Sequence, residues 1–292
     1  MVYVNGSIVT RADAKVGIED RGYQFADGIY EVTKFCGRRP IRLGAHLDRV
    51  KNCCQHMRFQ NTPTTEDWHQ IILDLQDACD IPDDPTHITT LYMQVTRGEA
   101  PRNHLFPKTA IPSGVVAYFR KAPVYTSEQR QSGLTLSSQP DERWSRCYIK
   151  SICLLPVILA KQAAVDAGAF EAMLVRDGVV TEGASTNIFC IKDGVIYTHP
   201  EGPHILSGIT RVLALEAAAK IGIPLKEVAR TQQEFQTADE VFVTSTTLDV
   251  MPITAIDGQP VADGKVGPIA KKLTEAVQEI IQSEISDALV TA

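Results

Sequence analysis

Trp144-Ser-Arg-Cys-Tyr-Ile-Lys150-Ser-Ile-Cys-Leu-Leu155 decides how this chain is read. A single lysine, Lys150, stands inside an otherwise apolar run. Burying an ammonium strips its hydration, so such lysines are seldom buried without a reason. Desolvation lowers a lysine's pKa and frees its amine to attack a carbonyl carbon, as a Schiff-base lysine must. A lysine at a strand end, with its head in water, would look the same locally. The rest of the chain has to choose between the two.

The 292 residues are 44% hydrophobic, enough for one large or two medium domains with real cores. The net charge of -6, without a long basic block, argues against nucleic acid and anionic membrane as partners. No apolar run reaches the roughly 18 residues of a membrane span. The chain begins Met-Val-Tyr-Val-Asn-Gly, a strand pattern with no signal peptide. Cys36, Cys53, Cys54, Cys79, Cys147, Cys153 and Cys190 are odd in number and lack C-x-x-C spacing. They read as reduced cysteines of a cytoplasmic protein, and the scattered histidines show no metal-ligand spacing.

Asn5-Gly6 between Val2-Tyr-Val and Ser7-Ile-Val predicts a hairpin. Leu47, Val50, Cys54 and Met57 mark one face of a helix from about Gly44 to Met57. Arg49 lies off that stripe, as a solvated charge or as a phosphate clamp. Thr64 opens a second helix, and His87 to Thr96 alternates as a strand. Residues 1–120 form one domain. The polar, aperiodic stretch 121–132 reads as a connection. Residues 133–292 form a second, hairpin-rich domain with turns at Asp177-Gly178, Asp193-Gly194 and Asp257-Gly258. Two helices are expected there over 152–167 and from Gly208 to about Ile221, with a last one over 266–285.

Three features outside the lysine stretch suit a phosphate. Gly208-Ile209-Thr210 opens a helix, where free amides and the dipole favour an anion. Ser245 and Thr246 put hydroxyls at a strand end, and Arg49 adds a full charge. Each also has a plain reading, as a helix cap, a strand end or a surface arginine. Together with a Schiff-base lysine they point to pyridoxal 5'-phosphate (PLP), which carries an aldehyde, a phosphate and a ring nitrogen that benefits from a carboxylate. Glu182 in Thr-Glu-Gly-Ala-Ser-Thr-Asn is the candidate carboxylate, unless it is an ordinary loop glutamate.

Nine segments then carry a resemblance. They are Glu19-Asp-Arg-Gly-Tyr-Gln-Phe, Asp27-Gly-Ile-Tyr-Glu-Val, His46-Leu-Asp-Arg49, Gln94-Val-Thr-Arg-Gly, Pro101-Arg-Asn-His104, Arg146-Cys-Tyr-Ile-Lys-Ser, Val180-Thr-Glu-Gly-Ala-Ser-Thr-Asn, Leu206-Ser-Gly-Ile-Thr-Arg and Phe242-Val-Thr-Ser-Thr-Thr. In order and spacing, nearly the whole chain resembles the D-amino-acid aminotransferases of the branched-chain-aminotransferase-like group, the fold-type IV PLP enzymes. The resemblance implies an α/β (α+β) fold with a small N-terminal α/β domain and a larger, barrel-like C-terminal domain.

It also implies roles. Lys150 would bind the aldehyde and shuttle a proton, and Glu182 would hold the ring nitrogen. Arg49, Ile209 (through its amide), Thr210, Ser245 and Thr246 would bind phosphate, and Leu206 would pack near the ring. Tyr30, with Arg102 and His104 reaching from the second subunit of a homodimer, would trap the carboxylate of amino acids and 2-oxo acids. Ser207 stands where some relatives carry lysine, and Tyr148 where others carry aspartate. An L-branched-chain aminotransferase, an (R)-amine transaminase and a 4-amino-4-deoxychorismate lyase share the fold, and a non-catalytic PLP-binding relative is the alternative of another class. The Pro-Arg-Asn-His loop favours the D-amino-acid branch, because it offers a guanidinium to an α-carboxylate.

Overall fold

The computed structural model describes residues 1–290, with side chains through 286. The chain divides into two compact units: Met1–Pro123 with Ile149–Cys153, and Val124–Tyr148 with Leu154–Ser286. The lysine segment thus belongs to the first unit, while the residues on either side of it belong to the second.

The first unit holds β1 (Val2–Val4), β2 (Ser7–Val9), α1 (Arg21–Phe25), β3 (Gly28–Cys36), β4 (Arg39–Pro40), α2 (Leu43–His56), α3 (Thr65–Ala78), β5 (Ile88–Thr96) and β6 (Gly114–Lys121). Its strands form a six-stranded sheet in the order β2-β1-β6-β5-β3-β4, antiparallel throughout. Alternation sorts β3 cleanly. Ile29, Glu31, Thr33 and Phe35 are buried, while Tyr30, Val32 and Lys34 on the opposite face are only half-buried. Helices α2 and α3 supply Leu47, Val50, Trp68, Ile71 and Leu75 to a core shared with Leu91, Met93 and Val95 of β5. A reciprocal cap between Thr64 and Asp67 starts α3. The expected helix at 44–57 and strand at 87–96 are present. Before β3 the chain forms the short helix α1, which Asp20 caps by accepting from the Gly22 amide at 2.7 Å.

The second unit holds α4 (Ser127–Ser132), β7 (Leu134–Pro140), α5 (Leu155–Asp166), β8 (Glu171–Arg176), β9 (Val179–Gly183), β10 (Asn187–Lys192), β11 (Val195–Thr198), α6 (Ile209–Lys220), β12 (Leu225–Glu227), α7 (Gln232–Gln236), β13 (Glu240–Ser245), β14 (Asp249–Ile256), β15 (Gln259–Pro260) and most of α8 (Pro268–Val290). The stretch 121–132 is thus not featureless. Thr126 and Gln129 cap each other and wind its second half into α4.

The sheet order is β12-β11-β10-β13-β14-β7-β8-β9, with β15 on β14. Strands β9 and β10 are consecutive in the chain, yet five strand spacings apart in this order. Laid flat, that is roughly 24 Å at ~4.8 Å per strand. The residues between Gly183 and Asn187 span at most roughly 14 Å when fully extended, and they turn tightly, with the Gly183 amide bonding the Thr186 carbonyl at 2.7 Å. The sheet therefore has to curl until its β9 side returns toward β10. This is the barrel-like sheet that the family resemblance implies. Its core gathers Leu136, Met173, Ile188, Val241, Val243 and Met251.

Candidate active site

Lys150 lies in no helix or strand, and three bonds staple its backbone to the end of β3 and to α2. The Tyr30 amide donates to the Lys150 carbonyl (2.9 Å), the Ile152 amide to Gly28 (3.0 Å), and the Lys150 amide to Cys53 Sγ (3.3 Å). An isolated bridge joins Ile29 to Ser151. Ile149 is buried and Lys150 itself half-buried. Its ammonium lies over the Tyr30 ring, 4.3 Å from the centroid. A backbone fixed on both sides leaves only the side chain of Lys150 to move.

Arg49 projects from α2 onto the covered face of the first sheet. Its Nε donates to Glu31 Oε2 and its Nη2 to Glu31 Oε1, each at 2.8 Å. His46, one turn earlier, places Nδ1 3.1 Å from the same Oε1. Burial opposes charge on Glu31, but the Arg49 guanidinium and His46 overcome it and hold the carboxyl far below the usual carboxylate range. Burial pushes His46 below its ordinary value, with the Glu31 carboxylate pulling the other way. Arg49 stays charged in spite of its burial because Glu31 is its partner. The arginine is not a solvated helix charge.

Arg102 and His104 are exposed, on the loop after β5. Both flank Phe25 of α1: the Arg102 guanidinium is 4.7 Å from the ring centroid, and the His104 ring is 5.4 Å away.

In the second unit Glu182 sits buried in β9. Its Oε1 is paired with Arg143 Nη1, and its Oε2 accepts from Asn187 Nδ2 and from the Leu206 amide, both at 3.0 Å. Asn187 Nδ2 also donates to the Leu206 carbonyl (2.8 Å), so one amide fixes both Leu206 and the carboxylate. Arg143 is held in turn by Asp141, with Nε to Oδ1 and Nη2 to Oδ2 both at 2.9 Å, and it donates to the His204 carbonyl. Burial works against the Asp141 carboxylate, yet Arg143 and Thr181 bring its pKa down to about 2.

Helix α6 starts at Ile209 with Gly208 as N-cap and, among the described residues, no side chain capping its first amides. Those amides have no partner within the helix and suit an anion. Gly208 is required by space. A Cβ there would stand 2.2 Å from Asn187 Oδ1, the amide that orients Glu182. Thr210 is buried in the first turn. Ser245 ends β13 and accepts from the Leu248 amide at 3.2 Å, with Thr246 following half-buried.

The donor set fits PLP. The chain provides an amine on a rigid backbone, a buried carboxylate that accepts from Arg143, Asn187 and Leu206, an uncapped helix start and a half-buried arginine. In the first unit the structure brings Lys150 together with Tyr30, and Arg102 with His104. In the second it brings Glu182 together with Leu206. Arg49 is bonded to Glu31.

The family model for amino-transferase class IV matches residues 28–256. The chain is a class IV aminotransferase. It is 40% identical to the D-alanine aminotransferase of Bacillus licheniformis, covering 97% of this chain and 98% of that one. The D-alanine aminotransferase of Staphylococcus epidermidis is 40% identical over the same shares. Among solved structures, the T.th. branched-chain amino acid aminotransferase with pyridoxamine 5'-phosphate superposes with a TM-score of 0.86 at 26% identity, covering 97% of this chain and 94% of that one. The Escherichia coli branched-chain enzyme, at 22% identity, shares the fold with a TM-score of 0.85, covering 96% and 93%. The two-domain α/β (α+β) fold is that of the fold-type IV aminotransferases.

Sequence reasoning missed Glu31, His46, Arg143, Asp141 and Asn187 as working parts. Glu31 left a signal: it occupies an inward position of an alternating strand, where a lone carboxylate needs a cation. Arg143 left only the nearby Asp141, two residues before it, because the partners that tie it to the site lie 39 residues on at Glu182 and 61 residues on at His204.

Proposed function

We propose that this aminotransferase moves the amino group of D-amino acids, D-alanine among them, onto 2-oxo acids such as 2-oxoglutarate, in ping-pong order with PLP as cofactor. When bound, PLP supplies an aldehyde that takes up the amino group and a ring that accepts the electrons released at the α carbon. Lys150 Nζ would hold that aldehyde and would take and return the proton at the substrate α carbon. Glu182 keeps the ring nitrogen protonated. Arg49, the Ile209 amide, Thr210, Ser245 and Thr246 hold the phosphate, and Leu206 packs beside the ring. Tyr30, Arg102 and His104 receive the substrate carboxylate.

The observation that carries this reading is likeness over nearly the full length to relatives curated as D-alanine aminotransferases. The arginine in Pro101-Arg-Asn-His104 supports it, since a simple amine donor carries no carboxylate to bind. The hand follows from two constraints. The α hydrogen must face Lys150, and the carboxylate must face Arg102, His104 and Tyr30. Exchanging carboxylate and side chain selects the other enantiomer.

We further propose a homodimer in which the Arg102/His104 loop serves the second subunit. Exposed Ile18, Tyr23 and Leu105 in the same unit support an interface there. The free, mostly buried cysteines support a cytoplasmic enzyme.

The test is the initial rate with D-alanine against L-leucine at matched concentration, with the glutamate product resolved by chirality. D-glutamate and pyruvate are expected. L-glutamate as the main product overturns the reading in favour of a branched-chain enzyme.

A further inference from the structure

Helix α1 carries more buried charge than its five residues explain. Arg21 is 3% exposed, Asp27 8% and Arg97 7%. Asp27 Oδ2 accepts from Arg21 Nε at 2.9 Å and from Arg97 Nε at 2.7 Å, and its Oδ1 accepts from Arg97 Nη2 at 3.0 Å. Two buried cations share one anion, so the remaining donors must find other acceptors.

Those acceptors are loop carbonyls. Arg21 Nη1 donates to the Asn103 carbonyl (2.5 Å) and the Leu105 carbonyl (3.3 Å), the two that flank His104. Arg97 donates to the carbonyls of Met57 and Arg58 and lies 3.7 Å from the Phe106 centroid. Around Arg21 the backbone is laid along the same loop: the Arg21 amide bonds Gly98 and the Ala100 amide bonds Glu19. One turn on, the Phe25 ring has Arg21 at 4.8 Å, Arg102 at 4.7 Å and His104 at 5.4 Å.

Buried ion pairs add little net stability, whereas a guanidinium fork fixes geometry. A loop that needed only to be tied down could use neutral bonds. This one has its backbone set on both sides of His104 and its two functional side chains set against one ring.

We propose that Arg21 and Phe25 are positioning residues for carboxylate recognition, Arg21 acting on the loop backbone and Phe25 on the Arg102 and His104 side chains. The proposal deepens the carboxylate-trap reading above and rests on it. It adds that the trap is built from beneath by α1, so specificity for a carboxylate depends on residues that never touch substrate.

The test uses the holoenzyme and seven variants: Phe25→Leu, Arg21→Lys, Arg102→Leu, Phe25→Leu with Arg102→Leu, Arg21→Lys with Arg102→Leu, Arg102→Lys, and Phe25→Leu with Arg102→Lys. Phe25→Leu and Arg21→Lys are each expected to raise KM for D-alanine and 2-oxoglutarate by about tenfold, with kcat and bound PLP within about twofold of the parent. In the Arg102→Leu background each adds well under its tenfold rise, because Arg102 is gone and only His104 remains to be positioned. Arg102→Lys, which restores the charge, makes the enzyme sensitive to Phe25→Leu again. Additive rises in the Arg102→Leu double variants, or an unchanged KM in both single variants, overturn the proposal. If Arg102→Leu alone leaves KM unchanged, the carboxylate trap itself falls and this proposal with it. Should Arg21→Lys fail to fold, the Phe25→Leu cycle decides alone, since Phe25 is only partly buried.

Discussion

Arg49 grips Glu31 with two parallel hydrogen bonds of 2.8 Å, and the carboxylate it grips is wholly buried. The pair lies on the covered face of the first sheet, where β3 would otherwise present only apolar side chains and threonine. A bidentate pair fixes the plane of the guanidinium as well as its position. If Arg49 binds the phosphate of PLP, Glu31 is the residue that aims it.

Glu31→Gln keeps the shape but removes the charge that holds Arg49. The variant is expected to bind PLP about tenfold more weakly, the effect of losing one charge-assisted contact. Titration of the apoprotein with PLP, followed by absorbance, measures it. An unchanged or tighter Kd would show that Glu31 does not aim Arg49.

Lys150→Ala removes an amine whose backbone is already fixed by bonds to Tyr30 and Cys53. The fold should survive, with a melting temperature near the parent's. PLP held through its phosphate should then leave on dialysis at a rate the parent never shows, and borohydride should no longer fix it to the chain. Full transaminase turnover in this variant would remove Lys150 from its role.

Acid should weaken the fold in two steps. Burial depresses the His46 pKa, so His46 adds stability above its unfolded value of about 6.5, and this is lost as pH falls below that. Glu31 and Asp141 also have depressed values. Their contribution is present above about pH 4 and is lost as pH falls through their folded values, about 2 for Asp141. For Asp141 alone the loss is on the order of 2 kcal/mol. Urea unfolding at a series of pH values checks the order of the steps. His46→Asn should flatten the first, and Asp141→Asn should shrink the second.

In Arg143→Met the buried Glu182 carboxylate loses the guanidinium it shares with Asp141, which keeps Arg176 at 3.2 Å, and we expect about 3 kcal/mol of lost stability at neutral pH. Urea unfolding of the variant beside the parent measures it. A loss below about 1 kcal/mol would mean that water replaces the guanidinium.

The sequence by itself determined the pieces that rest on local rules. Gly208-Ile209-Thr210 had to open a helix, and the Asp-Gly turns had to make hairpins, because backbone conformation there depends on neighbours only. Lys150 stood out because an ammonium in an apolar run conflicts with solvation. Motif order then brought the family, the cofactor and most of the nominated residues together without coordinates. The tertiary structure alone decided what holds those residues in place. Glu31 meets Arg49 only once α2 lies on β3, and Glu182 meets Arg143 only once a loop returns to β9. Arg21 reaches the carbonyls beside His104 across 82 residues of chain. The positions of these side chains follow from packing between distant segments, and a charge buried by such packing needs a partner that no local pattern names.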